Sequence, residues 1–136
     1  MLVKEIMTSD VEYVTDKNTL QDAAEKMKTL GVGELPIVIG NEAVGIVTDR
    51  DIIIRGIAQG LDPKVAKVID TMTEGVIACK ETDRIENAAK AMGAHKIRRL
   101  PVLDETGKMT GMVSIGDLAQ KLDAALSGEV LMEISK

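Results

Sequence analysis

The pattern of apolar and polar positions along this chain occurs twice. In each half, four apolar residues at helical spacing predict an amphipathic helix. Two apolar runs follow each helix, at residues 35–38 and 43–48 in the first half and at residues 100–103 and 109–114 in the second. Each pair of runs is joined by a short turn and predicts an antiparallel hairpin. The helix stripes are Leu20, Ala23, Ala24 and Met27, and Ile85, Ala88, Ala89 and Met92.

Further elements complete each half. Short extended runs at residues 11–14 and 76–79 precede the first helices, and second helices are predicted over residues 49–58 and from 115 to about 126. The predicted order per half is therefore β-α-β-β-α. The remaining signals are N-caps at Asn18 or Thr19 and at Thr82 or Asp83, helix breaks at Gly31 and Gly33, and a stop of the last helix at Ser127 and Gly128.

The two halves correspond residue by residue. Leu35-Pro36 recurs 65 positions later as Leu100-Pro101, and Gly45 recurs 66 positions later as Gly111. A duplication of this kind predicts an α/β (α+β) fold of two similar units stacked across a pseudo-two-fold axis. We assign the first repeat to residues 1–60, a linker to 61–66, the second repeat to 67–126 and an unassigned tail to 127–136.

Composition excludes several classes of function. The chain has 136 residues, 45% of them hydrophobic, and Tyr13 is its one aromatic residue. The lack of aromatic side chains that could stack on bases argues against binding of single-stranded nucleic acid. The net charge of −5 argues against binding of duplex DNA or of an anionic membrane. No segment approaches the roughly 20 apolar residues of a membrane span, and no secretory leader is evident, so we expect a cytoplasmic protein.

The sulfur and imidazole groups are few. Cys79 is the one cysteine and His95 the one histidine, so an internal disulfide, a thiolate metal cage and a histidine cluster are all excluded. Because Cys79 lies in an apolar run, we expect a packed core thiol rather than a reactive one. No nucleophile–base pair or glycine-rich phosphate loop is present, so the sequence predicts no enzyme.

The candidate chemistry lies where a strand meets a helix. Thr48-x-x-Asp51 occupies this position in the first half and Ser114-x-x-Asp117 in the second. A hydroxyl there lies beside free backbone N–H groups that bind phosphate, and a carboxylate three residues later can accept hydrogen bonds from both ribose hydroxyls. The same spacing also defines a helix-capping box with no function beyond stability. The sequence leaves both interpretations open.

A group of cations precedes the second Leu-Pro strand. Lys96, Arg98 and Arg99 could bind phosphate, Arg in bidentate fashion, or could be solvated residues at a helix end. The equivalent first-half positions are Gly31, Gly33 and Glu34. The two halves therefore differ in charge at this point.

These motifs together resemble the cystathionine-β-synthase (CBS) family. The resemblance is carried by Met7-Thr8 and Met72-Thr73, by the Leu-Pro strands, and by Gly-x-Val-Thr/Ser-x-x-Asp before a helix. Two such motifs in tandem resemble a Bateman module of the small stand-alone prokaryotic type, over residues 3 to about 126. The resemblance implies a non-catalytic regulatory module that senses AMP, ADP or ATP, forms a homodimer as a four-CBS disc, and signals to an unidentified partner protein.

The resemblance also implies which residues bind the ligand. Each cleft would take a ribose-binding Asp from one repeat and further contacts from both. One cleft would combine Thr48 and Asp51 with Thr73, Val76, Ile97 and Arg98; the other would combine Ser114 and Asp117 with Thr8, Val11, Val32 and Gly33; Arg50 and Arg99 are candidate phosphate clamps. We expect the Asp51 cleft to bind better, because it has Arg98 and Arg99 where the other has Gly33 and Glu34.

Other functions remain as alternatives. Members of this family also bind S-adenosylmethionine or a dinucleotide. A scaffold protein whose motifs are only helix caps, or a detached subunit of an enzyme or transporter, would show the same sequence pattern.

Overall fold

The computed structural model describes residues 1–122 and 124–135 and divides into two units. The first-repeat unit comprises residues 12–76, and the second-repeat unit comprises residues 1–11 together with residues 77–136. Residues 1–11, which we assigned to the first repeat, thus pack with the second repeat. Residues 67–76, which we assigned to the second repeat, belong to the first-repeat unit. The bounds drawn from the repeat pattern did not include this exchange.

The first-repeat unit is a three-stranded antiparallel sheet with strand order β1-β2-β3, accompanied by helices. The predicted first hairpin, β1 with β2, is confirmed. Its elements are α1 (Leu20–Leu30), β1 (Glu34–Ile39), β2 (Glu42–Thr48), α2 (Asp49–Asp51), a π-helix (Ile52–Ile57) that continues α2, a 3-10 helix (Val68–Asp70) and β3 (Thr73–Glu74).

Both ends of α1 are formed by the residues that the sequence indicated. Thr19 Oγ1 accepts a hydrogen bond from Asp22 N at 3.1 Å, and Asp22 Oδ2 accepts one from Thr19 N at 2.9 Å. The hydrogen bond from the Thr19 N–H lowers the pKa of Asp22. At the other end Gly31 adopts φ 68°, a left-handed conformation that stops the helix.

Residues 61–66, the predicted linker, contact the start of α1. Leu20 N donates to Ala66 O and Gln21 N donates to Pro63 O, both at 3.0 Å. The first N–H groups of a helix have no partner within the helix. The linker carbonyls therefore satisfy two of them, and the linker is part of the first-repeat unit.

The second-repeat unit has a mixed sheet with strand order β4-β5-β6. β4 pairs with β5 in parallel, and β5 forms the predicted antiparallel hairpin with β6. Its elements are a 3-10 helix (Val3–Glu5), β4 (Cys79–Lys80), α3 (Ile85–His95), β5 (Arg99–Leu103), β6 (Met109–Ser114), α4 (Ile115–Ala119) and α5 (Ala124–Ser135).

Each unit encloses an aliphatic core built from equivalent positions. The predicted apolar runs and helix stripes supply most of it, and Cys79 is buried as expected. Ala24 of the first stripe is exposed, whereas its counterpart Ala89 is buried. The core of the first-repeat unit includes Leu20, Met27, Leu35, Ile37 and Val47, and that of the second includes Ile85, Met92, Leu100, Val102 and Val113.

The last helix differs from its prediction. A single helix from residue 115 to about 126 is wrong: α4 ends at Ala119, and α5 runs through Ser127 and Gly128, the predicted stop. Burial of Val130, 3% exposed, in the second-repeat core stabilises α5 by about 1.5–3 kcal/mol. That exceeds the cost of about 1 kcal/mol for a glycine inside a helix.

Two smaller predictions also change. The predicted cap at Thr82 or Asp83 is wrong, because Arg84 is the N-cap of α3 and Asp83 Oδ2 accepts from Lys80 N. The extended run at residues 11–14 forms one parallel bridge, Val14 to Ile37, rather than a strand.

Candidate functional site

The first candidate site is the junction of β2 and α2. Thr48 Oγ1 accepts a hydrogen bond from Asp51 N at 3.0 Å, and Asp51 Oδ2 accepts one from Thr48 N at 3.1 Å. Thr48 and Asp51 are both half-buried. This pair of hydrogen bonds is a complete capping box.

The second candidate site repeats this geometry where β6 meets α4. Ser114 Oγ accepts from Asp117 N at 3.1 Å, and Asp117 Oδ2 accepts from Ser114 N at 2.9 Å. Within residues 1–122 and 124–135, no group donates a hydrogen bond to Asp117 Oδ1. The capping role is therefore confirmed in both repeats. It occupies one carboxylate oxygen of each Asp, and the other oxygen takes no part in the box.

The Met-Thr motifs lie against these junctions in each unit. Thr8 exchanges two backbone hydrogen bonds with Met112 of β6, both 2.9 Å, and Thr73 of β3 pairs with Ile46 of β2. A Cβ atom on Gly45 would lie 2.9 Å from Thr73 O, and one on Gly111 would lie 2.9 Å from Thr8 O. Glycine is therefore required in Gly-x-Val-Thr/Ser because the Met-Thr backbone passes directly over it.

The residues after the first helix of each repeat also reach the junction of their own unit. Asp49 N donates to Gly33 O at 2.9 Å, and Ile115 N donates to Arg98 O at 2.8 Å. In the strand register, Glu34 pairs with Thr48 and Arg99 pairs with Ser114. The strand neighbours of the two boxes thus differ in charge: a carboxylate in the first repeat and a guanidinium in the second.

The structure consequently groups the predicted ligand-binding residues by unit. Thr48, Asp51, Thr73, Val76, Val32, Gly33 and Arg50 belong to the first-repeat unit, and Ser114, Asp117, Thr8, Val11, Ile97, Arg98 and Arg99 belong to the second. Arg50, Arg98 and Arg99 are exposed, and Val11 and Val76 are half-buried. The further combinations that the family resemblance implies stay predictions: Ile97 and Arg98 with Asp51, and Val32 and Gly33 with Asp117.

The contacts of Arg55 were not predicted from the sequence. Its Nη1 donates to Thr71 O and Met72 O, both at 3.3 Å, and its Nε lies 3.9 Å from Asp51 Oδ1. The sequence shows the helical spacing of four residues between Asp51 and Arg55, and it shows Lys121 at the equivalent position of the second repeat. It does not indicate that Arg55 contacts residues 71 and 72.

Other reactive groups lie outside this chemistry. Burial raises the pKa of the Cys79 thiol to about 12, which keeps it protonated. Among the residues described, no three His, Cys, Asp or Glu side chains form a group that could hold a metal ion. Over the same residues, no helix is long and apolar enough to span a membrane.

The fold and the two boxes define a chain of two tandem α+β repeats, each with a Ser/Thr-x-x-Asp junction. The CBS domain family matches residues 3–56 and 65–124, so the chain belongs to the CBS domain family. The uncharacterized protein YlbB of Bacillus subtilis is 38% identical to it over 137 residues, which cover 98% of this chain and 91% of YlbB.

Two solved structures of similar proteins contain adenosine ligands. CBSX2 of Arabidopsis thaliana, in complex with AMP, is 28% identical with a TM-score of 0.75, covering 94% of this chain and 98% of that one. The CBS domain pair of MJ0100, in complex with 5′-methylthioadenosine and S-adenosyl-L-methionine, is 27% identical with a TM-score of 0.72, covering 88% and 94%.

Proposed function

We propose that this protein is a non-catalytic regulatory module that binds an adenine nucleotide at its two Ser/Thr-x-x-Asp junctions. The observation that carries the proposal is that each capping box uses only one of the two carboxylate oxygens of its Asp. Asp51 Oδ2 and Asp117 Oδ2 serve the boxes, whereas the Oδ1 atoms do not. The AMP complex of CBSX2 and the adenosine ligands of the MJ0100 pair support an adenosine-containing ligand.

Each predicted residue has a role in this proposal. The Asp carboxylates accept hydrogen bonds from the ribose hydroxyls, and the exposed guanidinium groups bind phosphate in bidentate fashion. Aliphatic side chains enclose the base, since the chain lacks aromatic rings to stack on it. The base-contacting residues are Val11, Val32, Val76 and Ile97, and the phosphate-binding residues are Arg50, Arg98 and Arg99.

The two sites are expected to differ in affinity. If Arg98 and Arg99 contact a ligand held by Asp51 of the other repeat, the Asp51 site binds ATP and ADP more tightly. If they serve Asp117 of their own unit, the order is reversed. We retain the first arrangement as the prediction, because the family resemblance implies that Arg98 joins Thr48 and Asp51 in one cleft.

Calorimetric titration with AMP, ADP, ATP and S-adenosylmethionine tests the proposal. Asp51→Asn and Asp117→Asn are the informative variants, because an amide oxygen still accepts the capping hydrogen bond while the amide nitrogen cannot accept from ribose. We expect each to weaken one binding event about tenfold or more and Asp51→Asn to remove the tighter one. Unchanged affinity in both variants would contradict the ribose assignment.

A scaffold protein without a ligand is the second candidate, favoured by the completeness of both capping boxes. A ligand that binds the folded state raises the melting temperature of the protein. Thermal unfolding with the same four compounds at millimolar concentration separates the two functions. A midpoint that stays fixed with all four compounds would favour the scaffold.

We propose further that the module forms a homodimer through the first repeat. Ile53, Ile54 and Ile57 of the π-helix are 58%, 47% and 52% exposed. The equivalent positions of the second repeat are Ala119, Gln120 and Asp123. An apolar face of this kind that meets its own copy makes a symmetric, self-complementary interface.

Light scattering on sized fractions measures the oligomeric state. We expect Ile53→Asp to give a monomer, because it places a charge in the interface. The matched control, Ala119→Asp, changes the equivalent exposed position of the second repeat and should leave a dimer. A monomeric parent protein, or a dimeric Ile53→Asp variant, would contradict this assignment of the interface.

A further inference from the structure

The Arg55 side chain connects two parts of the first candidate site. Its Nη1 donates to Thr71 O and Met72 O at 3.3 Å, and its Nε faces Asp51 Oδ1 at 3.9 Å. Thr73, a predicted ligand contact, follows directly in β3. One guanidinium group therefore contacts both the candidate ribose-binding carboxylate and the backbone that leads to another candidate contact.

The π-helix and Gly56 position Arg55 for this contact. Gly56 is buried, and a Cβ atom on it would lie 2.7 Å from Leu20 Cδ1 and 3.8 Å from Thr71 Cγ2. The π-helix thus packs against Leu20 more closely than a side chain at residue 56 would allow, and it lies in ordinary van der Waals contact with Thr71. Thr71 is itself only 1% exposed, so the backbone that Arg55 contacts belongs to a buried residue.

Within residues 77–122 and 124–135, the second repeat shows no equivalent of this arrangement. Lys121 stands at the position that corresponds to Arg55, but it lies beyond the end of α4, in a turn where its backbone N donates to Leu118 O. Among the residues described, the Lys121 side chain forms no hydrogen bond or ion pair. A lysine ammonium group also lacks the planar fork with which arginine can bridge separate acceptors.

We propose that Arg55 is a positioning residue that links ligand binding at Asp51 to the backbone at Thr71 and Met72. The proposal rests on the proposed function, because it takes Asp51 as the ribose-binding group. A ribose hydroxyl that donates to Asp51 Oδ1 shares this oxygen with the Arg55 guanidinium. Ligand binding at the first site therefore changes the hydrogen bonds from Arg55 to the backbone of residues 71 and 72, which lead into β3. Ligand binding at the second site does not change them.

Titration with AMP tests the link to Asp51. We expect Arg55→Gln to weaken AMP binding at the first site about three- to tenfold, the size of a partly exposed charge-assisted contact. In the Asp51→Asn background the same change should add almost nothing, because Arg55 acts through Asp51. Lys121→Gln is the matched control and should leave both affinities unchanged. Losses that multiply in the double variant would overturn the proposal, since Arg55 would then contact the ligand independently.

Hydrogen exchange of the amides at residues 71–76 tests the link to the backbone, with and without AMP. In the protein without ligand, Arg55→Gln should speed this exchange about three- to tenfold, and Lys121→Gln should not. Arg55→Lys should retain part of the AMP affinity but lose the AMP-dependent change in exchange. If Arg55→Lys kept the full AMP affinity and the full AMP-dependent change in exchange, the bridging role would be overturned. Exchange rates in ligand-free Arg55→Gln equal to those of the parent protein would also overturn it.

The two proposals fail in distinguishable ways. A parent protein that binds none of the four compounds contradicts the proposed function. The comparison of Arg55→Gln with Lys121→Gln in ligand-free protein still decides whether Arg55 holds residues 71–76.

Discussion

Thr48 and Asp51 form two reciprocal hydrogen bonds. Thr48 Oγ1 accepts from Asp51 N at 3.0 Å, and Asp51 Oδ2 accepts from Thr48 N at 3.1 Å. The motif that suggests ribose binding is thus also the start of a helix. A loss of binding after Asp51→Ala could come from either role. The structure separates them, because Oδ2 serves the cap and Oδ1 does not.

The capping role predicts different stabilities for two substitutions at Asp51. Asp51→Ala removes the acceptor for Thr48 N and should lower the free energy of unfolding by about 1 kcal/mol. Asp51→Asn keeps an acceptor oxygen in the same place and should cost about half as much or less. Urea unfolding of both variants without ligand measures this. Equal losses would show that the hydrogen bond does not stabilise the helix start.

Gly45 should tolerate no side chain. The Cβ atom of Gly45→Ala would lie 2.8 Å from Met72 Sδ and 2.9 Å from Thr73 O, and the backbone oxygen cannot move away without displacing β3. We expect a loss of about 1–3 kcal/mol in unfolding free energy. Gly128→Ala, inside α5 with no atom within 4 Å of the new Cβ, should instead stabilise by about 0.5–1 kcal/mol. Stability losses of the same size in both variants would contradict the close contact at Gly45.

The C-terminal helix α5 should stabilise the second-repeat unit through the buried face that carries Val130, and not through its exposed face. Val130 is 3% exposed and Met132 is 67% exposed, on the same helix α5. We expect Val130→Ala to lower the free energy of unfolding by about 1–3 kcal/mol and Met132→Ala to change it by about 0.5 kcal/mol or less. Urea unfolding measures both. A small effect of Val130→Ala would mean that α5 does not stabilise the second-repeat unit.

Cys79 should make stability fall in alkaline solution. Burial raises the pKa of its thiol to about 12 from 9.0, so the unfolded chain loses this proton at lower pH than the folded protein does. The contribution is complete below about pH 9 and is lost as the pH rises towards 12. The decrease in unfolding free energy between about pH 8 and about pH 10.5 should therefore be larger in the parent protein than in Cys79→Ala. Identical slopes would contradict a protonated buried thiol.

Much of the fold could be predicted from local signals. The helix stripes, the two Leu-Pro hairpins and the caps at Thr19, Thr48 and Ser114 depend on residues close together in sequence, and the structure confirms them. The family and its two repeats were also recognisable, because their motifs combine spacing with specific residue types. The candidate carboxylates, Asp51 and Asp117, were found in the same way.

Long-range packing decided the features that the sequence left open or misplaced. α5 continues through Gly128 because Val130 packs in the second-repeat core, a contact between distant parts of the chain. The linker carbonyls of Pro63 and Ala66 cap α1, although sequence pattern suggested only a connection. Arg55 reaches residues 71 and 72 for the same reason.

The sequence by itself determined the repeats, their secondary structure and the Ser/Thr-x-x-Asp chemistry, because periodicity and capping act over three or four residues. The family resemblance implied that each Met-Thr segment joins the junction of the other repeat. Only the tertiary structure decided that glycine at Gly45 and Gly111 is a steric requirement and that Arg55 joins Asp51 to the backbone before Thr73. The contacts of Gly45 with Thr73, of Gly111 with Thr8 and of Arg55 with Thr71 join residues 16 or more positions apart, a distance at which local pattern carries no information.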